Sequence, residues 1–338
     1  MEFRKDINGL RAFAVIAVVL YHFDIGVLLG GFAGVDVFFV ISGYLMTGII
    51  FKGLENDSLS LTKFYLSRAK RIIPALAVLC FSLFIFGWIF LSPYEFKSLG
   101  KHIAGGMTFV SNIVFWQESG YFDVHSLEKW LLHTWSLSLE WQFYILYPII
   151  LLLVKKVIPL PKIKYVIVLG AITSYILCEY VVYLSSQSAF YLLPTRAWEM
   201  MVGAIAFLFP VSLSKGKRTL TEGIGLLLII ASYFLLTSKV LWPGHYTLVP
   251  VLGTFLVILA CNKGSIFTEN KIFQIIGSSS YSIYLWHWPI LIFINKYIGK
   301  SAVWYGFGII LSFLFGYLFY RLIEKNIPLC QNDYHLLP

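Results

Sequence analysis

Residues 4–47 read RKDINGLRAFAVIAVVLYHFDIGVLLGGFAGVDVFFVISGYLMT, two apolar segments joined by a short glycine-rich loop. Each segment carries polar groups that lipid does not solvate. Arg11 opens the first segment, and His22 follows eleven residues later. On an α-helix that spacing returns to nearly the same face after three turns, with an axial separation of about 16 Å. One helix face therefore carries a cation near one membrane surface and a titratable imidazole deeper in the membrane.

The composition of the whole chain is that of a helical membrane protein. Of its 338 residues, 59% are apolar and only 13% are charged, whereas a soluble domain has about 25% charged residues. The repeated apolar runs have the length of about 20 residues that suits membrane-spanning helices, and they lack the strict alternation of barrel strands. We therefore predict an all-α polytopic integral membrane protein that forms a single domain over residues 1–338.

About ten transmembrane helices can be placed along the chain. A shorter apolar stretch, 103–117, contains two glycines and is predicted to be interfacial or re-entrant rather than an eleventh span. The predicted spans are approximately 10–29, 35–52, 72–92, 131–154, 164–184, 197–213, 219–238, 247–262, 278–296 and 303–323.

Cationic residues are distributed unequally between the two sides of this topology. Of the 26 lysines and arginines, nineteen fall on the side of the two termini. The positive-inside rule therefore predicts that both termini are cytoplasmic. The same asymmetry explains the net charge of +9 without nucleic acid as a partner. The four cysteines are scattered, and their spacing predicts neither a disulfide framework nor a metal site.

Ionisable residues inside the spans cost about 2.5–3.5 kcal/mol each on insertion scales, so each is a candidate functional residue. Glu140 is predicted to lie near mid-membrane, where a carboxylate suits acid–base chemistry or the orientation of a histidine. A structural hydrogen bond between helices is the alternative. The GGFAGVD loop is flexible enough to bring Asp36 close to His22.

Three other intramembrane groups are interpreted mainly as structural. Arg196 and Glu199 lie one helical turn apart and are expected to pair. His287 precedes a proline that should kink its helix. A histidine on such an apolar helix is more often a satisfied core residue than a catalyst.

Three arginines, which we term the arginine cluster, are predicted to lie at the cytoplasmic end of the helices. Arg68 and Arg71 share one helical face within FYLSRAKRIIPAL, on the same side as Arg11. Three guanidinium groups on one membrane face suit bidentate binding of phosphates. The alternative is a positive-inside anchor that contacts lipid headgroups.

Six segments in order carry a resemblance to a known family. They are DINGLRAFAVIAVVLYHF, GGFAGVDVFFVISGYLMT, FYLSRAKRIIPAL, HTWSLSLEWQFYILYP, RAWEMMVGA and SYSIYLWHWPI. With them the chain resembles, over nearly its whole length, the acyltransferase 3 family of integral-membrane acyltransferases. The resemblance implies a multi-pass protein of the bacterial inner membrane that uses cytoplasmic acyl-CoA, usually acetyl-CoA, as donor substrate and holds no permanent cofactor or metal.

The resemblance also implies roles for individual residues. The spaced arginine and histidine of the family fall on Arg11, which would contact the donor, and on His22, which would be catalytic. The basic helix start of the family falls on Arg68 and Arg71, although many members have tandem arginines before the proline. Many members also have a second acidic residue after the position of Glu140, where this chain has tryptophan.

These observations predict O-acetylation of a hydroxyl on a lipid-linked or lipid-anchored surface glycan, such as O-antigen, lipopolysaccharide or exopolysaccharide. The arginine cluster would hold CoA, and His22 would act as general base. Glu140 or Asp36 would orient His22 and stabilise its imidazolium form. A covalent acyl-enzyme on Ser42, a tyrosine or His22 itself is an alternative route.

Two other functions fit the same residues. A transporter or flippase would use the buried charges as a proton relay, and a non-catalytic scaffold would support a separate periplasmic transferase. Many relatives in the family carry an SGNH-type hydrolase-like domain. This sequence is expected to lack it, so no relay through such a domain is expected in cis.

Overall fold

The computed structural model describes residues 3–119 and 128–326, where all regular structure is helical. This confirms the predicted all-α class. The α-helices, in chain order, are α1 Lys5–His22, α2 Gly34–Glu55, α3 Leu61–Phe90, α4 Pro93–Met107, α5 Ser111–Glu118, α6 Thr134–Lys155, α7 Leu160–Leu184, α8 Ser186–Tyr191, α9 Leu193–Leu208, α10 Lys215–Leu235, α11 Leu248–Ala260, α12 Lys271–Phe293 and α13 Ala302–Phe319.

The predicted spans coincide with helices α1, α2, α3, α6, α7, α9, α10, α11, α12 and α13. Within the described ranges, six helical stretches are long and apolar enough to cross a membrane, and His245–Ala260 is apolar but shorter. Helices α1, α9 and α12 are not among them. Helix α9 has only 16 residues, and polar side chains such as Arg196 and His287 lower the apolar content of α9 and α12. These side chains are buried inside the protein instead of facing lipid. The protein is therefore a multi-pass membrane protein that buries these polar side chains inside the helix bundle.

The first helix differs from its prediction of 10–29. It begins at Lys5 and ends at His22, because Asp24 adopts a left-handed conformation with φ 51°, which stops the helix. His22 is consequently the last residue of α1. The imidazole lies at one end of the helix, about 16 Å along the axis from Arg11.

Helix α3 is longer than the predicted span 72–92. The helix begins at Leu61 and continues for 30 residues through Pro74. Ser60 caps its first turn by accepting a hydrogen bond from the backbone N–H of Lys63. Arg68 therefore lies inside a continuous helix, so its backbone is fixed by the α3 hydrogen-bond ladder.

The stretch 103–117 does not form a single helix. It is divided between α4 and α5, and Phe109 at the break has a left-handed φ of 57°. With 15 and 8 residues, neither helix is among the described stretches that are long and apolar enough to cross a membrane. Glu95 near the start of α4 accepts a hydrogen bond from Lys296, which lowers the pKa of Glu95 to about 2.

Small residues set the two helix contacts that position the site. A Cβ built on Gly43 of α2 would lie 1.8 Å from the carbonyl oxygen of Met200 on α9, so only glycine permits this approach. Small residues such as glycine permit this close approach of membrane helices. Similarly, a Cβ on Gly277 of α12 would lie 1.9 Å from the carbonyl oxygen of Asn8 on α1. The first contact brings Asp36 and Arg196 face to face, and the second holds α1 against α12.

Candidate active site

Two adjoining cavities lie among α1, α2, α6 and α12. The smaller, about 90 Å³, is lined by the arginine cluster, and we term it the arginine cavity. The larger, about 520 Å³, is lined by His22 and His133, and we term it the histidine cavity. Val35 and Tyr284 line both cavities, so the two meet at these side chains. Arg11 and His22 therefore face the same interior path, as their spacing on one helix predicts.

The arginine cavity brings together all three predicted donor-binding residues. Arg68 is buried, whereas Arg11 and Arg71 are half-buried at the cavity wall. In the described ranges, neither Arg11 nor Arg71 makes a hydrogen bond or an ion pair. Their guanidinium donors are therefore available to a ligand in this cavity.

Glu140 lies in the arginine cavity, not beside His22. Its carboxylate accepts hydrogen bonds from Ser42 and from the hydroxyl of Tyr144, the latter at 2.7 Å. The prediction that Glu140 orients His22 is therefore wrong as to direct contact. Seven residues, about 10 Å along the helix axis, separate Glu140 from His133, which lines the histidine cavity.

Asp36 also lies away from the partner predicted for it. Its carboxylate accepts a hydrogen bond of 2.9 Å from Arg196, and the other terminal nitrogen of Arg196 is 3.0 Å from Glu199. The predicted pairing of Arg196 with Glu199 is confirmed, and the predicted approach of Asp36 to His22 is wrong. The close packing of α2 on α9 explains the difference, because it places Asp36 against Arg196.

Removing the cation from this buried cluster should destabilise the protein strongly. Arg196→Met would leave the carboxyl groups of Asp36 and Glu199 buried without a counter-charge, and we expect a loss of about 3–5 kcal/mol in the free energy of unfolding. Thermal unfolding in detergent measures the effect. The triple variant Arg196→Met, Asp36→Asn and Glu199→Gln should recover most of the loss. A single variant as stable as the wild type would contradict this account.

His22 finds its hydrogen-bond partner on α12. Nδ1 of His22 lies 2.9 Å from Nε2 of His287, and the two rings stack with centroids 5.1 Å apart. Nδ1 of His287 lies 2.6 Å from the backbone carbonyl oxygen of Tyr284. His287 is fully buried. The residue that sequence reasoning treated as structural is thus the direct partner of the predicted catalytic histidine.

These contacts fix the position of each ring proton. A carbonyl oxygen only accepts, so Nδ1 of His287 carries a hydrogen and donates it to Tyr284. A neutral His287 then has its lone pair on Nε2, and His22 must donate to it from Nδ1. Neutral His22 therefore keeps a lone pair on Nε2. That nitrogen is available to remove a proton from a substrate.

A third histidine, His133, lies beside the pair formed by His22 and His287. The ring of His133 meets the ring of His287 edge-on at 5.7 Å, and the carbonyl oxygen of His133 accepts a hydrogen bond of 2.9 Å from Tyr284. His133 is buried, and neither of its ring nitrogens has a hydrogen-bond partner in the described part of the chain. Over those same residues no group of side chains is suited to hold a metal ion. In the sequence, the feature that points to His133 is its position seven residues before Glu140.

Comparisons with known proteins agree with this architecture. The profile of a family described as "Acyltransferase domain" matches residues 4–321. The chain is 34% identical to the peptidoglycan O-acetyltransferase OatA of Listeria monocytogenes, over 98% of this chain and 57% of that protein. It is 32% identical to the O-acetyltransferase OatA of Staphylococcus aureus, over 96% of this chain and 57% of that protein. The chain thus spans somewhat more than half the length of these relatives. No solved structure matches it.

Proposed function

The chain belongs to the family of integral-membrane acyltransferases matched over residues 4–321, and on this premise we propose that it transfers acetyl from acyl-CoA to a hydroxyl of a cell-surface glycan. The observation that carries the proposal is the pair of adjoining cavities. One is lined by three arginines, the other by a histidine with a free ring nitrogen, and the two meet at Val35 and Tyr284. Donor binding and proton removal thereby have separate but connected places.

The arginine cavity is the proposed site of the CoA phosphates. Guanidinium groups bind phosphates through paired, charge-assisted hydrogen bonds, and Arg11 and Arg71 have donors to spare. The pantetheine arm would carry the thioester past Val35 and Tyr284 toward His22. The separation of about 16 Å between Arg11 and His22 along α1 suits an extended arm of that kind.

The chemistry is proposed at Nε2 of His22. This nitrogen takes the proton of the acceptor hydroxyl while the hydroxyl oxygen attacks the thioester carbonyl carbon. The carbon–sulfur bond then breaks, and the departing thiolate takes the proton from the imidazolium to give free CoA. His287 accepts the Nδ1 hydrogen bond of His22 throughout. It thereby stabilises the imidazolium, a role that a carboxylate has in serine hydrolases.

Direct transfer is the favoured route. Ser42, the serine suggested as an acyl carrier, lines the arginine cavity and donates its hydroxyl to Glu140. It does not line the cavity that contains His22. An acyl-enzyme on Ser42 would therefore need Glu140 rather than His22 as its base.

The proposed acceptor is a cell-wall glycan of the peptidoglycan type. One relative is named as a peptidoglycan O-acetyltransferase, whereas the O-antigen and lipopolysaccharide predicted from the sequence have no counterpart in the names of the relatives above. Because this chain matches only 57% of the length of those relatives, its acceptor has to be determined by assaying this protein. The proposed location is the bacterial inner membrane.

The proposal is tested with purified protein in lipid nanodiscs, acetyl-labelled acetyl-CoA and total envelope glycan as acceptor. We expect labelled ester on the glycan and an equal amount of free CoA thiol. Labelled glycan without dependence on the protein, or no release of CoA above the buffer rate, would refute the enzyme function. A transporter would instead move glycan across the membrane without consuming acetyl-CoA.

His287 should affect turnover more than donor binding. His287→Ala removes the acceptor for the Nδ1 proton of His22, and we expect kcat to fall about 10²-fold or more. His287→Gln offers an amide oxygen that accepts the same bond, so it should restore part of kcat. Steady-state kinetics and thermal unfolding of both variants measure the effect. Equal kcat loss in both variants, in step with equal loss of stability, would indicate a structural role only.

A further inference from the structure

The histidine cavity has the size and position of a second substrate site. Its volume of about 520 Å³ falls within the range of about 300–1,000 Å³ typical of small-molecule pockets. It contains His22, and it lies beyond Val35 and Tyr284 from the arginine cluster. A group that gives its proton to Nε2 of His22 while the donor occupies the arginine cavity has to enter through this space.

The walls of the histidine cavity are largely aromatic. Trp242 lines the cavity and packs edge-on against Phe32 at 4.8 Å between ring centroids. Trp135 lines another part and contacts Phe190 at 4.3 Å. The ring of Trp288 meets that of His22 edge-on at 4.9 Å. Flat aromatic surfaces with a polar edge suit the face of a pyranose, where C–H groups cover one side and hydroxyls project around the rim.

The charges around this cavity restrict the acceptor further. No carboxylate is found among the described residues that line it, and its cationic side chains are Lys239 and Arg196. Arg196 is neutralised by its buried carboxylates, whereas Lys239 is exposed. A protonated amine would lose water here without meeting a counter-charge, which is unfavourable. A neutral or anionic acceptor meets no such penalty.

We propose that the histidine cavity is the acceptor site, and that it takes a pyranose unit of a neutral or anionic glycan stacked on Trp242. Lys239 excludes cationic, de-N-acetylated sugars. This inference rests on the proposed acetyl transfer, and it adds the part of the chain that selects the acceptor. It assigns sugar selection to Lys239 and Trp242, outside the residues that hold the donor.

Competition between two soluble probes tests the selection by charge. Neutral oligosaccharides of N-acetylglucosamine should inhibit acetyl transfer to envelope glycan at least tenfold more strongly than their de-N-acetylated, cationic counterparts. In the variant Lys239→Glu the difference in inhibition between the two probes should decrease or reverse, because the substitution replaces a cation at the cavity by an anion. Equal inhibition by the two probes in the wild type, or an unchanged ratio in Lys239→Glu, would overturn the inference.

Stacking is tested with Trp242. Trp242→Ala should raise the KM for glycan about tenfold, which corresponds to about 1.4 kcal/mol of binding free energy, with a much smaller change in the KM for acetyl-CoA. Trp242→Phe keeps an aromatic face, so its KM for glycan should lie between those of the wild type and Trp242→Ala. Trp88→Ala removes a tryptophan that is 73% exposed on α3 and lines neither cavity, so it should leave both constants unchanged.

The outcomes separate the two proposals. If the wild type releases no CoA, the proposed function itself fails. If the wild type transfers acetyl but Trp242→Ala leaves the glycan KM unchanged, only the acceptor site fails. A parallel rise in the KM for glycan and the KM for acetyl-CoA in Trp242→Ala would also overturn the proposed acceptor site, since that result indicates a general disturbance of the fold.

Discussion

His22→Ala should lower the rate of acetyl transfer by about 10²–10⁴-fold, the contribution expected of a general base. The reason is specific to Nε2: the contact with His287 leaves that nitrogen as the unprotonated one, and the histidine cavity gives it access to an acceptor. Transfer of labelled acetyl to glycan by the purified variant measures the effect. Donor binding should persist, because the arginine cluster lines the neighbouring cavity.

The matched control for this variant is His245→Ala. His245 has a half-exposed side chain and lines neither cavity, so its loss should not change the transfer rate. Thermal unfolding of both variants separates an effect on chemistry from an effect on folding. If His22→Ala transferred acetyl at the wild-type rate with an intact fold, His22 would not be the base, and the separate-transferase scaffold would become the better account.

Arg11→Gln should act at the donor instead. Each hydrogen bond to a charged group is worth about 1.5–3 kcal/mol, so losing one such contact with a CoA phosphate should raise the donor KM or Kd about 10–100-fold. The effect on kcat should be smaller. Folding should tolerate the change, since no hydrogen bond or ion pair of Arg11 is found within residues 3–119 and 128–326.

Direct binding of CoA to the nanodisc-embedded protein measures this prediction. Arg11→Lys keeps the charge but not the paired donors, and it should bind with intermediate affinity. Arg321→Gln serves as control, because Arg321 is an exposed cation outside both cavities. Wild-type affinity in Arg11→Gln would assign the arginine cluster to lipid headgroups, the alternative that the sequence leaves open.

Helical periodicity was enough to find the residues that act along one helix. The spacing of Arg11 and His22 predicted a shared face, and the structure places both on one interior path. The spacing of Arg68 and Arg71 predicted a second shared face, and both side chains line the arginine cavity. Such predictions succeed because a regular helix converts sequence distance directly into direction.

Contacts between helices could not be read in this way. Asp36 was expected near His22 because the two are close in sequence, but a glycine contact between α2 and α9 places Asp36 against Arg196. Glu140 was expected to orient His22, yet it accepts hydrogen bonds from two hydroxyl groups in the arginine cavity. His287 is the partner of His22 although 265 residues separate them. Which helices pack together depends on small residues distributed along the whole chain. One sequence alone does not show which of these residues face each other.

The proposed function requires that the donor and the acceptor enter from opposite sides of the membrane and meet at His22. The most direct test compares inverted and right-side-out membrane vesicles of cells that produce the protein, each given labelled acetyl-CoA in the outside medium. We predict that inverted vesicles, whose cytoplasmic face is outermost, label the glycan enclosed within them, and that right-side-out vesicles do not. Equal labelling by both, or labelling by right-side-out vesicles alone, would contradict the account.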